Sequence, residues 1–234
     1  MSGNEGLQSP SAEGLRVQWE AAHPEEQYGW LGLRVRRATS WLSRAEAEMR
    51  DEPGDPDAAF LFLWITFNAL YAEDTDRFHN ASDPGAARRF FVKVCRLDRD
   101  RVVYDAIWSR FSGPIRLLLD NPYVYKRYWM DRNKPGGGSG WQARFAARKE
   151  RTHRALARQD TYAILSELFE RLYVLRNQLV HGGATWNSKA NRDQVKDGQA
   201  IMAILVPHFL AIMIANHEAD WGRPHFPPEY VADG

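Results

Sequence analysis

The chain has 234 residues, of which 44% are hydrophobic and 26% are charged, and its formal net charge is +1. This composition is typical of a globular protein and excludes a disordered chain, while the near-neutral charge excludes a basic nucleic-acid-binding surface over the whole molecule. Cys95 is the only cysteine. An internal disulfide and a cysteine-based zinc cluster are therefore excluded, and a reducing, cytoplasmic location is favoured.

The first half of the chain predicts a tail followed by helices. Residues 1–24 are polar and lack the basic start and apolar block of a secretion signal, so we predict a flexible tail. Apolar periodicity predicts an amphipathic helix over residues 28–49. In the next helix, around residues 60–71, apolar side chains cover so much of the circumference that we expect burial on nearly all sides. Residues 86–94 and 101–119 predict further helices, disturbed near the Gly-Pro pair at 113–114.

The second half predicts two long helices. Residues 133–140 are rich in glycine and predict a surface loop, whereas residues 141–180 have helical periodicity almost throughout. Residues 191–217 predict a last long helix that Pro207 bends, and residues 220–234 look irregular. Residues 25–219 therefore predict one all-α domain, an antiparallel bundle of about five to seven helices.

A membrane-spanning segment is not expected. The most apolar run, residues 201–215, falls short of the roughly 20 residues that a bilayer requires. We interpret it as a core helix.

The helix that ends before Gly182 carries two apolar stripes on a helical wheel. One consists of leucines alone and predicts the core face: Leu165, Leu168, Leu172, Leu175 and Leu179. The other lies about 120° away and consists of Tyr162, Phe169, Tyr173 and Val180. Arg176 lies between the stripes, and Asn177 and His181 lie beyond the second one. If the second stripe is a twofold subunit contact, these polar residues from two chains converge on one cleft.

These polar residues suit the cleavage of RNA without a metal. A histidine titrates near neutrality and can take a proton from a ribose 2′-hydroxyl or give one to a leaving oxygen. A permanently charged guanidinium can stabilise the negative charge that grows on the phosphate. DNA lacks the 2′-hydroxyl and cannot be cut by this route.

At this point the sequence resembles a known family. Residues 176–181, Arg-Asn-Gln-Leu-Val-His, resemble the R-x(4–6)-H motif of HEPN domains (higher eukaryotes and prokaryotes nucleotide-binding). Residues 64–71, Trp-Ile-Thr-Phe-Asn-Ala-Leu-Tyr, look like the aromatic helix of many bacterial members. The resemblance extends over residues 28–217 in helix order, but only these two segments are specific.

The resemblance implies a helical bundle that dimerises and forms a composite ribonuclease centre, with no metal or other cofactor, that usually leaves a 2′,3′-cyclic phosphate. Many members are toxins or act against phage, so an antitoxin or a defence-system protein is an expected partner beside RNA. By position, Arg176 would clamp the phosphate, His181 would be the general acid or base, and Asn177 would orient the histidine or the scissile phosphate. Asn68, in the aromatic helix, is a secondary candidate, for which an internal hydrogen bond is an equal alternative.

Other interpretations stay open. The basic residues Arg144, Arg148, Lys149 and Arg151 are candidates for guiding RNA phosphates, or they form an ordinary solvated helix face. His181 could simply interact with the helix dipole. The histidines show no metal-ligand spacing such as H-E-x-x-H, so no metal site is predicted. The alternative function is a catalytically inactive HEPN scaffold that binds a nucleotide, RNA or a partner protein. A third possibility is an unrelated helical interaction domain.

Overall fold

The chain forms a helical bundle. A computed structural model describes residues 9–23, 29–73, 84–136 and 138–226, and within these ranges there are ten α-helices and no β-strand, apart from an isolated antiparallel bridge between Glu73 and Pro224. The predicted all-α fold is confirmed, with more and shorter helices than the five to seven expected. Parts of both predicted tails, residues 1–8, 24 and 227–234, lie outside the described residues.

The described ranges contain the helices in the following order. Their bounds are α1 Ala12–Ala22, α2 Trp30–Arg50, α3 Pro56–Tyr71, α4 Pro84–Leu97, α5 Val102–Asp105, α6 Ser112–Asp120, α7 Lys126–Arg132, α8 Trp141–Ala157, α9 Thr161–Val180 and α10 Arg192–Ala215. A π-helical segment, Ala106–Arg110, and two 3₁₀ turns, Pro122–Val124 and Lys189–Asn191, complete the helical structure of the described ranges.

Helix α1 corrects the prediction of an N-terminal tail. Ser11 caps it by accepting the N–H of Gly14, and the side chains of Leu15 and Trp19 are buried in the bundle. The backbone N–H of Ala12 also donates to Glu46 Oε1 of α2, over 2.7 Å. The segment is polar overall, yet its few apolar residues recur at helical spacing and form one narrow buried stripe. The tail prediction is therefore wrong for residues 9–23.

Helix α3 runs through the centre of the bundle, between α2 and α10. Asp55 caps its start by accepting the N–H groups of Asp57 and Ala58, and Pro56 occupies the first turn, where its missing N–H has no helical partner to lose. At its other end, the buried guanidinium of Arg34 donates to the carbonyl oxygens of Ala69 and Leu70. The helix is thus fixed at both ends.

One predicted continuous helix is interrupted, and a second predicted helix has its break at a different place from the one expected. Residues 141–180 form α8 and α9, separated by a turn in which Gln159 has a positive φ of 52° and Asp160 caps α9 by accepting the N–H of Ala163. Between α5 and α6, the break lies at the π-helical segment and Phe111. Gly113 and Pro114 lie in the first turn of α6, so they begin a helix and do not disturb one.

Helix α10 is a core helix, as predicted. It is long and apolar enough to cross a membrane by length and composition alone, but most of it is buried inside the bundle, which is typical of the core of a soluble protein. At Gly198 a Cβ would meet Leu172 of α9 at 3.0 Å and Phe60 of α3 at 3.2 Å. The glycine thus allows α10 to approach both helices closely.

Candidate active site at the end of helix α9

Aromatic contacts fix how α9 lies against α3. Phe67 packs on Phe169, with ring centroids 4.4 Å apart, and Trp64, one turn earlier in α3, packs on Tyr173, one turn later in α9. The two helices are therefore antiparallel. The C-terminal end of α9, which carries the predicted catalytic residues, lies beside the N-terminal half of α3.

The two predicted stripes of α9 have different outcomes. The leucine stripe is the core face, as predicted, since Leu165, Leu168, Leu172 and Leu175 are fully buried. The second stripe is largely occupied by the chain itself, because Phe169 is 4% exposed and packs on rings of α3, α4 and α10. Rings of the chain itself therefore cover Phe169, and this part of the stripe is not open to a second subunit. Val180, 53% exposed, is its open end.

Arg176 is held in place by two aromatic rings and an amide. Its guanidinium carbon lies 5.5 Å from the ring centroid of Trp64 and 5.3 Å from that of Tyr173, which is within the range of a cation–π interaction. Nη1 donates to Asn177 Oδ1 over 2.9 Å. This bond occupies one of the five N–H donors of the guanidinium. The side chain is half-buried, so its position is fixed while part of it faces solvent.

Asn177 bonds to Arg176 through its side chain and to His181 through its backbone alone. Its side-chain oxygen accepts from Arg176, which leaves the amide N–H₂ as the group that it can offer to a ligand. Its backbone carbonyl accepts the N–H of His181 over 3.0 Å. His181 is the residue that ends α9, followed by Gly182 with a positive φ of 66°, and its imidazole is exposed. A substrate can therefore reach the imidazole from solvent.

One face of α3 beside this site is partly exposed. Leu61, Phe62 and Ile65 are half-buried, and Trp41 of α2, 39% exposed, stacks on Phe62 with centroids 5.7 Å apart. We call these four residues the contact strip. The prediction that this helix is buried on nearly all sides is wrong here, because neither α2 nor α9 covers this face completely.

Asn68 lies on the same partly exposed face, one turn beyond Trp64. Since its side chain is half-buried, water can satisfy the amide, and the expectation that burial demands a protein partner no longer holds. Its position next to Trp64, on which Arg176 packs, keeps it a neighbour of the site.

The predicted RNA-binding residues of α8 contact acids of the same chain. Arg148 binds Glu167 and Glu170 of α9, Lys149 pairs with Asp120 at 2.9 Å, and Arg144 donates to Asp131 over 3.5 Å. These pairs attach α8 to its neighbours. Arg151 is exposed. RNA binding by the four residues stays a prediction, but three of them already have carboxylate partners.

Sequence reasoning missed a buried arginine between α8 and α9. Arg171 is 2% exposed, and its guanidinium carbon lies 4.8 Å from the ring centroid of Tyr125 and 5.5 Å from that of Phe145. Burial lowers its pKa, and the carboxylate of Glu167, 2.8 Å away, opposes this effect. The guanidinium thus holds α9 against Phe145 of α8 and against Tyr125, the residue before α7.

Sequence reasoning also missed the anchoring of the segment that follows His181. We call residues 182–191 the anchor loop. Asp57 Oδ2 accepts from the N–H of Asn187 over 3.0 Å and from Nη2 of Arg192 over 2.6 Å, and the indole N–H of Trp186 donates to Asp55 Oδ2 over 2.9 Å. The loop is thus attached to the start of α3. No sequence signal pairs residues about 130 positions apart.

A cavity of about 200 Å³ lies elsewhere, lined by residues that include Ile107, Trp108, Arg116 and Gln159. The indole N–H of Trp108 donates to Thr161, the first residue of α9, which is 15 residues from Arg176. That separation is roughly 22 Å along a helix, so the cavity is not part of this site. In the described portions of the chain, no group of three or more His, Cys, Asp or Glu side chains is arranged to hold a metal ion.

Comparisons with known proteins return nothing at the level that would identify a family: the chain matches no protein-family model, no curated protein and no solved structure.

Proposed function

We propose that the chain is a metal-independent endoribonuclease of the HEPN type that acts as a homodimer. The observation that carries the proposal is the fixed guanidinium of Arg176, held by Trp64, Tyr173 and Asn177, on the same helix end as the exposed imidazole of His181. An anchored cation and an accessible histidine are the two groups that cleavage through a ribose 2′-hydroxyl requires.

The reaction follows from these two groups. The imidazole of one His181 takes the proton of a 2′-hydroxyl, and the 2′-oxygen forms a bond to the adjacent phosphorus while the bond to the 5′-oxygen breaks. The leaving oxygen takes a proton, either from a second imidazole or from water. Arg176 stabilises the charge that grows on the phosphate oxygens. The products are a 2′,3′-cyclic phosphate and a 5′-hydroxyl.

The second subunit is proposed to pack on the contact strip. This strip is apolar and consists of residues of α2 and α3. Helix α3 also contains Trp64, on whose ring the Arg176 guanidinium packs. In a twofold dimer each patch meets its own copy, so a contact here brings the ends of both α9 helices toward one cleft. The catalytic histidines and arginines of two chains would then share one RNA strand.

The wider role follows from the family resemblance. We propose a cytoplasmic enzyme that acts as a toxin or in defence against phage, controlled by an antitoxin or another defence protein. The cations of α8 have a smaller part in this proposal, since Arg144, Arg148 and Lys149 already neutralise acids of the chain.

The test is cleavage of RNA and of DNA by the purified chain in the presence of a chelator. We expect RNA to be cut and DNA to remain intact. Arg176→Ala and His181→Ala should each lower the rate about 100-fold or more, because each removes a group that acts on the reacting phosphate. Arg158→Ala and His153→Ala are matched controls, being exposed residues of the same types at α8, and should cut at the wild-type rate.

The outcome decides between the proposals. Folded Arg176→Ala and His181→Ala chains that cut as fast as wild type would refute the assigned site. A requirement for added metal would refute metal independence. If the folded wild-type chain cuts none of a broad set of RNAs but binds them or a protein, the inactive scaffold is the better description.

A further inference from the structure

Trp186 is exposed and yet fixed in orientation. Its side chain is 74% exposed, more than any other exposed large hydrophobic residue in the described ranges. Its indole N–H donates to Asp55 Oδ2 over 2.9 Å, and Asp55 is itself held as the cap of α3. A tryptophan that is exposed by chance has no need of such a bond, so the structure presents this ring face to solvent in one orientation.

The backbone next to Trp186 is fixed as well. Asn187 adopts a positive φ of 56°, an uncommon conformation for a residue with a side chain, and its N–H donates to the buried carboxylate of Asp57. The same carboxylate accepts from Arg192. The left-handed conformation of Asn187 and the two hydrogen bonds to Asp57 thus fix the anchor loop next to the Trp186 ring. Because the loop is already ordered, a ligand that stacks on the Trp186 ring loses little conformational entropy of the protein, which favours binding.

The ring lies at the same end of the bundle as the candidate catalytic residues. It follows His181 by five positions in the chain and is bonded to the cap of α3. Trp64, on which Arg176 packs, lies nine residues after Asp55, a separation of roughly 13 Å along the axis of α3. An RNA strand whose phosphate is bound by Arg176 can therefore bring another nucleotide of the same strand to Trp186.

We propose that Trp186 is a stacking platform for a nucleobase of the RNA substrate, on the same strand as the scissile phosphate. Single-stranded RNA is commonly bound by stacking its unpaired bases on exposed aromatic side chains, and such stacking tolerates any base. The inference rests on the proposed ribonuclease function and names a residue that binds the substrate. Trp186 acts on binding and has no part in the proton transfers.

The experiment measures RNA binding separately from cleavage. His181→Ala serves as the background, so that RNA stays intact, and fluorescence anisotropy follows a labelled single strand of about 12 nucleotides. In this background Trp186→Ala should weaken binding about 10-fold or more, whereas Trp186→Phe keeps a stacking face and should retain most of the affinity. Trp30→Ala is the matched control, since Trp30 is also exposed, and should leave binding unchanged.

An abasic strand distinguishes stacking from general loosening of the loop. Strands with and without bases should differ in affinity for the His181→Ala chain, and Trp186→Ala should remove most of this difference. If Trp186→Ala lowers affinity for both strands equally, the ring does not stack on a base and the inference is overturned.

Three further results overturn it too: unchanged affinity in Trp186→Ala, no measurable binding by the His181→Ala chain, or a changed oligomeric state in Trp186→Ala, which would make the ring a subunit contact. Cleavage by the wild-type chain decides the ribonuclease proposal independently. The two proposals can therefore fail separately.

Discussion

At the scale of single residues, His208 couples the stability of the bundle to pH. It lies in α10 with 7% of its surface exposed, and its Nε2 is buried without a hydrogen-bond partner. Burial lowers its pKa, and the positive charge of Arg110 adds to this effect. The folded chain therefore keeps the imidazole neutral at a pH where the unfolded chain binds a proton.

The sign of the effect follows from linkage. Because the unfolded chain binds more protons below about pH 6.5, the free energy of unfolding should fall as the pH drops below that value. His208→Gln should reduce this dependence, and His153→Gln, a change at an exposed histidine, should not. Urea unfolding at about pH 7.5 and at about pH 5.5 measures the difference. Equal pH dependence in wild type and His208→Gln would contradict the assignment.

At the scale of elements, the anchor loop depends on one buried carboxylate. Asp57→Ala removes the acceptor of Arg192 and of the Asn187 N–H, and leaves the guanidinium, which is only 15% exposed, without its charge partner. We expect a loss of about 3 kcal/mol in the free energy of unfolding, measured by urea denaturation.

Asp193 provides the control for this prediction, because its carboxylate is exposed in the first turn of the same helix as Arg192. Asp193→Ala should change stability by about 0.5 kcal/mol or less. If the two variants are equally stable, the carboxylate of Asp57 does not anchor the loop.

The elements also show what the sequence could predict. Helices α3, α9 and α10 were predicted because their apolar residues recur at helical spacing, and the end of α9 was predicted from Gly182. Helix α1 was missed because three buried residues in a polar segment are a weak signal. The partner of Phe169 could not be predicted, since a stripe on a helical wheel does not say whether its neighbour belongs to the same chain.

The candidate site also has a part that the sequence could predict and a part that it could not. Arg176, Asn177 and His181 are close in sequence, so their common place at the end of α9 was predictable. The rings that hold Arg176 and the acids that hold the anchor loop come from distant segments, and only the packing of α3 against α9 brings them there. Local spacing predicted the chemical groups, but not what holds them.

At the scale of the whole molecule, the contact strip predicts how two chains meet. Ile65→Glu places a charge in the centre of an apolar face, and we expect the dimer to dissociate and RNA cleavage to fall with it. Val92→Glu is the matched control, since Val92 of α4 is 52% exposed and not part of the strip. Sedimentation velocity at several concentrations gives the mass.

A dimer that survives Ile65→Glu would assign the subunit contact to another face. A wild-type chain that is monomeric at all concentrations yet cleaves RNA would remove the need for a composite centre and leave the residues of one α9 to do the chemistry.

The placement of α1 changes where the minimal folding unit begins. Trp19 and Leu15 are buried in α1, which packs against α2 and α10. A fragment that starts at residue 25, where composition suggests a boundary, would lack α1 and expose the apolar side chains beneath it to water. Surfaces of that kind favour self-association over solubility. Shortened versions made for crystallisation or for interaction screens should therefore keep the chain from Ser9 onward.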